Sequence, residues 1–181
     1  MVVKEVEFLN SNLNGIINIL KDNYILINLY NSVEKVGYME TYFHGTKKIT
    51  LENIYCIDKY RGNKVGSTLL DISDYLLKDY IGYTLCGVYY PCQMLDDIKI
   101  LRDPNELDMK ARNFYLKHGF DIVSFSEYES DKDKYPLINI NDFSPTIKKF
   151  RRSVVYKKIS KLDNYRFKEK DNKLYEEVNY E

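Results

Sequence analysis

The chain reads as one domain of mixed α/β architecture, and three observations predict it. Ile-, Val- and Tyr-rich segments parted by turn residues fill the first third, helical spacing begins at Val65, and a second helix follows a further strand-like segment. The 181 residues, 44% hydrophobic, can bury one substantial core and are too few for two full domains. Strands are expected at about Val2–Leu9, Ile16–Leu20, Tyr24–Tyr30, Val36–Phe43 and Ile49–Ile57. Reversals at Lys21-Asp22-Asn23, Asn31-Ser32 and His44-Gly45-Thr46 would fold them into an antiparallel meander. Ile16–Leu20 is equally compatible with a single helical turn.

From Val65 onward, Val65, Leu69, Ile72 and Leu76 share one helical face while Asp71, Asp74 and Lys78 take the other. This spacing predicts an amphipathic helix of about four turns. Tyr83–Tyr90 is again strand-like, and Pro91 ends it. Asp103-Pro104-Asn105-Glu106 offers a capping carboxylate, a proline at the first helical position and a Glu three residues after the cap. That helix should reach His118 and stop at Gly119. Asp121–Glu127 and Ser153–Ile159 read as two more strands, separated by a long loop. Past Ser160 the chain is charged, punctuated by Tyr165, Phe167, Leu174 and Tyr175, and reads as either a docked helix or a frayed extension. The domain is drawn over 1–160, with a charged C-terminal extension over 161–181.

Charge narrows the function classes. Lys plus Arg equals Asp plus Glu at 27 each, so no global field draws the protein to nucleic acid or to a membrane. Cys56, Cys86 and Cys92 are too irregular for a disulfide framework, and beside His44 and His118 they give no zinc spacing, so no metal is expected. The N-terminus breaks into charge at once and no apolar run approaches membrane-spanning length. A soluble, cytoplasmic protein is the expectation.

The segment that carries chemistry is a strand, Leu51–Ile57, a turn, Asp58–Asn63, and a helix opening at Lys64–Gly66. A helix start presents unpaired N–H groups and the positive end of the helix dipole, which together receive phosphate. Glycine lets backbone approach such a ligand closely. On these residues alone, Arg61-Gly62-Asn63-Lys64 also reads as a common solvated turn.

The segment resembles the pyrophosphate loop of the GNAT superfamily of acyl-CoA-dependent N-acetyltransferases, (Arg or Gln)-x-x-Gly-x-(Gly or Ala). Arg61, Val65 and Gly66 match, and Lys64 replaces the first loop glycine. That replacement implies an ordinary backbone conformation there and an ammonium beside the pyrophosphate. Ala111-Arg112-Asn113-Phe114-Tyr115-Leu116-Lys117-His118-Gly119-Phe120 is similar to a second signature of the family, Ala-x-x-(aromatic or Leu)-Tyr-x-x-x-Gly-Phe, with Asp108 where an Asn is usual. A strand containing Val155-Tyr156-Lys157-Lys158 resembles the family's last strand. The resemblance spans roughly Tyr24 to Ile159.

It implies a GNAT-like, mostly antiparallel, centrally splayed sheet of six or seven strands flanked by helices. It also implies transfer of an acetyl group from acetyl-CoA, as co-substrate, to a primary amine. Cys56, Ile57 and Asp58 would pair with pantetheine, and Arg61, Gly62, Asn63, Lys64, Val65, Gly66 and Ser67 would hold the pyrophosphate. A backbone N–H near Cys56 would face the oxyanion, and Tyr115 would protonate the leaving thiolate. Glu52 is the candidate base, because it shares strand parity with Ile54 and Cys56.

Each residue also has a structural reading. Tyr115 lies beside the apolar stripe Leu107, Ala111 and Phe114, Gly119 suits a helix cap, and Glu52 suits an exposed strand. Cys56 and Cys86 read as small core residues, and His118 near a helix C-terminus as a capping cation. A non-catalytic GNAT-like module that binds acyl-CoA or a protein partner is the alternative function.

The acceptor amine, a small molecule or a peptide or protein, is less legible. The family usually places two helices between its first two strands, and Asn10–Asn23 leaves room for little more than one short element. Tyr90–Asn105 is correspondingly long. In the extended segment after the fifth strand, Asp96, Asp97, Asp103, Glu106 and Asp108 outnumber Lys99 and Arg102, which points to a cationic acceptor such as a polyamine or a lysine or N-terminal amine of a peptide. Caps and a solvated turn account for the same residues. Monomer and homodimer stay open.

Overall fold

The structure, a computed structural model, describes residues 1–9, 11–20, 23–44, 47–60, 62, 64–89, 93–95, 98–100, 104–131 and 153–177. Five strands open the chain: β1 (Val2–Glu7), β2 (Leu13–Leu20), β3 (Tyr24–Asn31), β4 (Glu34–His44) and β5 (Lys48–Cys56). Each pairs antiparallel with the next, so the predicted meander is present and Ile16–Leu20 belongs to a strand. A short 3-10 turn (Asp58–Tyr60) leads to α1 (Val65–Leu76), then to β6 (Thr84–Tyr89). Two three-residue strands, β7 (Gln93–Leu95) and β8 (Ile98–Ile100), form a separate hairpin before α2 (Pro104–Lys117). β9 (Asp121–Ser124), α3 (Phe125–Ser130), β10 (Ser153–Lys158), β11 (Phe167–Lys170) and β12 (Lys173–Glu176) complete the described chain.

Among the described residues the main sheet has ten strands in the order β11-β12-β1-β2-β3-β4-β5-β6-β10-β9, wider than the six or seven expected. Two sequence expectations are corrected. Asp121–Glu127 does not continue as a strand, because Ser124 caps α3 by accepting a hydrogen bond from the Glu127 N–H at 3.2 Å. Ser-x-x-Glu is a capping signature, and it lay in the sequence at Ser124-Phe125-Ser126-Glu127. The tail, in turn, is neither a helix nor a fraying extension. β11 and β12 form a hairpin whose turn residues Asp171 and Asn172 both have positive φ, and β12 pairs parallel with β1. The hairpin inserts Phe167 and Leu174 into the core, and Arg166 bonds Thr68 and Asp71 of α1 and Glu176 of β12.

One sheet face is covered by α1 and α2. Ile17, Ile27, Met39, Ile49 and Leu85 on that face form the core with Val65, Leu69 and Ile72 of α1. The alternation of buried and exposed residues along β2 and β3 sets which side chains go there. No described helix is long and apolar enough to cross a membrane, and no metal-binding cluster occurs among the described residues.

Candidate functional site

The sheet opens between β5 and β6, the seventh and eighth strands in its order. β5 and β6 run parallel and pair only from Lys48↔Thr84 to Leu51↔Gly87; beyond that rung each strand continues without the other. Glycine suits the last rung, since a Cβ on Gly87 would lie 3.2 Å from the Leu51 carbonyl oxygen. A bulge sits at the same level: Thr41 pairs with Leu51 and Glu40 with Asn53, leaving Glu52 as the extra residue of β5.

That bulge overturns the parity argument for Glu52. Ile54 and Cys56 stand opposite Met39 and Gly37 on the helix-covered face. The exposed Glu52 instead acts electrostatically on Tyr24 and Tyr42, which stand on the opposite face. The extra residue reset the alternation, which no simple count along the strand reveals.

A second bulge, at Val36, shapes the far end of β5. The Val36 carbonyl accepts from the Ile57 N–H at 2.9 Å. Successive N–H groups of a strand point to opposite edges, so the Cys56 N–H is directed to the edge that β6 has left. The Cys56 thiol donates to the Ile57 carbonyl at 3.4 Å. Burial pushes the Cys86 thiol up to about 12, which keeps it protonated and inert as a nucleophile.

The turn after β5 is anchored by side chains. The Tyr60 hydroxyl donates to Glu34 and accepts from the Asn31 amide, while Lys59 pairs with Glu34. Gly62 has φ 83° and Lys64 has φ 61° and ψ 22°. The expectation of an ordinary backbone at Lys64 is therefore wrong. The lysine takes the left-handed conformation that a glycine would occupy, at a cost of roughly 1 kcal/mol. Lys64 is also the N-cap of α1 and makes no side-chain cap bond. The first intrahelical bond runs from Thr68 N–H to Lys64 O, so the N–H groups of Val65, Gly66 and Ser67 have no partner within the helix. Arg61 and Asn63 lie outside the described residues, as do Asp96, Asp97 and Asp103; of Asp58, Glu106 and Asp108 only the backbone is described.

Two glycines set the position of α1. A Cβ on Gly37 would lie 2.7 Å from both the Tyr55 carbonyl oxygen and Val65 Cγ1, so the helix start can approach the sheet only because position 37 is bare. Gly37 was missed in the sequence, although a glycine inside a strand signals close approach. A Cβ on Gly66 would lie 3.1 Å from Phe114 Cζ, so Gly66 serves packing between α1 and α2.

α2 buttresses the same helix start. His118 Nε2 lies 2.9 Å from Ser67 Oγ, a pairing with no signature in the sequence. Burial holds the His118 imidazole below its ordinary pKa, opposed by Asp71 and Asp74 and reinforced by Lys157 and Lys117. Lys157 ties this corner together by donating to Asp74 and to the His118 carbonyl. Tyr115 is 7% exposed, with its ring edge-on to Phe114 and Phe120 at 5.2 and 5.5 Å. The structure thus gathers Cys56, Ile57, Lys64, Val65, Gly66 and Ser67 at the opened end of β5. Glu52 lies on the far side of the sheet and Tyr115 in the core.

No protein-family model matches the sequence, and no curated protein matches it either. Solved structures do match. Nourseothricin acetyltransferase aligns with a TM-score of 0.53 at 10% identity, over 88% of this chain and 89% of that one. The ribosomal-protein-S18-alanine N-acetyltransferase of Escherichia coli aligns with a TM-score of 0.50 at 17% identity, over 81% and 77%. A GNAT-family acetyltransferase from Staphylococcus aureus gives 0.50 at 14% identity, over 76% and 69%. The chain therefore has the GNAT fold.

Proposed function

We propose that this chain, which has the GNAT fold, transfers an acetyl group from acetyl-CoA to a primary amine. The observation that carries the reading is the juxtaposition of the β5–β6 opening with the uncapped start of α1. The left-handed Lys64 and the first turn of α1 present N–H groups and the positive end of a dipole to a pyrophosphate. The Lys64 ammonium adds charge, and Arg61 and Asn63 contribute by resemblance. The opened edge of β5 lends backbone groups at Cys56, Ile57 and Asp58 to an extended pantetheine arm.

The Cys56 N–H is aimed where negative charge would build on the transferring carbonyl. The acceptor's lone pair attacks that carbon, the C–N bond forms and the C–S bond breaks. Water takes the surplus amine proton, and Tyr115 gives its proton to the departing thiolate. Positioning supplies most of the acceleration, because a neutral amine beside a thioester needs little else. Two structural neighbours are named for acetyl transfer, a nourseothricin acetyltransferase and a ribosomal-protein-S18-alanine N-acetyltransferase, and this supports the class.

The alternative, a module that binds acyl-CoA without turnover, draws support from the enclosure of Tyr115 between two Phe rings. Calorimetric titration with acetyl-CoA tests both readings. Binding in the micromolar range is expected, and no heat at millimolar ligand would sink them together.

A further inference from the structure

The sheet face turned away from α1 carries aromatic rings and hydrogen-bond acceptors that the chemistry above has not used. The link from β1 to β2 spans only residues 8–12, too short to lay a helix over it. Register places Tyr24 and Asn28 of β3, Tyr38, Glu40 and Tyr42 of β4, and Thr50 of β5 on this face. The Tyr24 and Tyr42 rings lie 4.7 Å apart, and Glu40 stands between Tyr42 and Tyr38 along β4.

Two further observations point to a ligand. Asn28 Oδ1 and Thr50 Oγ1, on side chains 7% and 6% exposed, have no hydrogen-bond partner among the described residues. Buried polar atoms are rarely left so. Asn28 sits opposite Tyr38, and Thr50 opposite Tyr42. The chain's own Lys35 ammonium lies 4.8 Å from the centroid of the Tyr38 ring, at the rim of the same face. π faces, a carboxylate and an amide oxygen share one complement: a group with several N–H donors and a positive charge.

Resting on the acetyltransferase reading, we propose that this face holds a second, non-reacting ammonium of the acceptor, so that the substrates are diamines and polyamines. The reacting nitrogen must be neutral to offer its lone pair. The nitrogen bound by tyrosine rings and Glu40 must keep its proton, so the two are different atoms of one molecule. The face is well placed for this, since Tyr38 pairs with Tyr55, the neighbour of Cys56, at the opened end of β5. Burial and the Glu40 charge push the Tyr24 hydroxyl up to about 12, so the ring stays neutral at any working pH.

The test is calorimetric titration of the full chain with spermidine and with n-butylamine, alongside melting curves with acetyl-CoA. Parent, Glu40→Gln and Tyr42→Leu are compared at low and high salt. Spermidine should bind the parent about tenfold or more tighter than n-butylamine. Each substitution should weaken spermidine about five- to tenfold, in line with loss of a charge partner or a cation–π face. Salt should narrow the preference. Stabilisation by acetyl-CoA should persist in both variants, which also shows that they fold. Equal affinity for the two amines, or spermidine binding unmoved by both substitutions, overturns the proposal while acetyl-CoA stabilisation leaves the acetyltransferase reading intact. Loss of acetyl-CoA stabilisation in the parent itself removes that reading, and with it the assignment of this face to an acceptor.

Discussion

Lys64 holds a backbone conformation that its side chain disfavours, and the loop keeps it because the φ of this position is set by the turn into α1. Lys64→Gly should relieve roughly 1 kcal/mol of strain, partly offset by the entropy of the added glycine, for a net rise in melting temperature of about 1–3 °C. The same change removes the ammonium, so acetyl-CoA should bind several-fold more weakly at low salt. A lower melting temperature would mean that the lysine side chain stabilises the loop by contacts of its own. His118 supplies a second test at this scale. Its folded pKa is depressed, so below about 6.5 the unfolded chain takes up a proton before the folded one does. Stability is fully present above that pH and falls as pH drops toward the folded value. Parent and His118→Gln, unfolded in urea between pH 5 and 8, should diverge in slope below about 6.5, with the variant flatter. Parallel slopes would show that His118 titrates alike in both states.

Strand positions were largely legible, since Ile, Val and Tyr at period two mark which face is buried. The bulges were not. Glu52 and Val36 are extra residues whose effect depends on the partner strand, and an isolated strand pattern carries no record of its partner. That is why the turn into α1 was legible from its residues while the face of Glu52 was not. Gly37 shows the same limit from the other side, because the helix that demands its bareness comes later in the chain. Gly37→Ala should cost about 2–3 kcal/mol in urea unfolding, since the Tyr55 carbonyl is backbone and cannot swing aside. A loss below about 0.5 kcal/mol would show that α1 shifts freely, and acetyl-CoA affinity would then be the more sensitive readout.

At the scale of the molecule, the C-terminal hairpin joins the far edge of the sheet to the helix that carries the candidate site. β12 pairs with β1, and Arg166 reaches Thr68 and Asp71 in α1. Its charged composition hid this, because Phe167 and Leu174 are too few to give a period, and Asp171-Asn172 is a hairpin turn without the usual glycine. Phe167 is fully buried, so Phe167→Ala should lose about 3–5 kcal/mol in a single cooperative transition. A loss confined to a separate, early transition would make the hairpin an independent appendage.

Catalysis at the opening beside β5 stands or falls on product formation. The full chain is incubated with acetyl-CoA and an amine panel of spermidine, a lysine peptide and n-butylamine, and acetylated products are quantified by mass spectrometry for the parent and Tyr115→Phe. Protein-dependent acetylation that favours spermidine is expected, falling by about 10²–10⁴-fold in Tyr115→Phe while acetyl-CoA still stabilises the variant. Binding of acetyl-CoA with no acetylated amine from the parent would contradict it and leave a module that binds the thioester without using it.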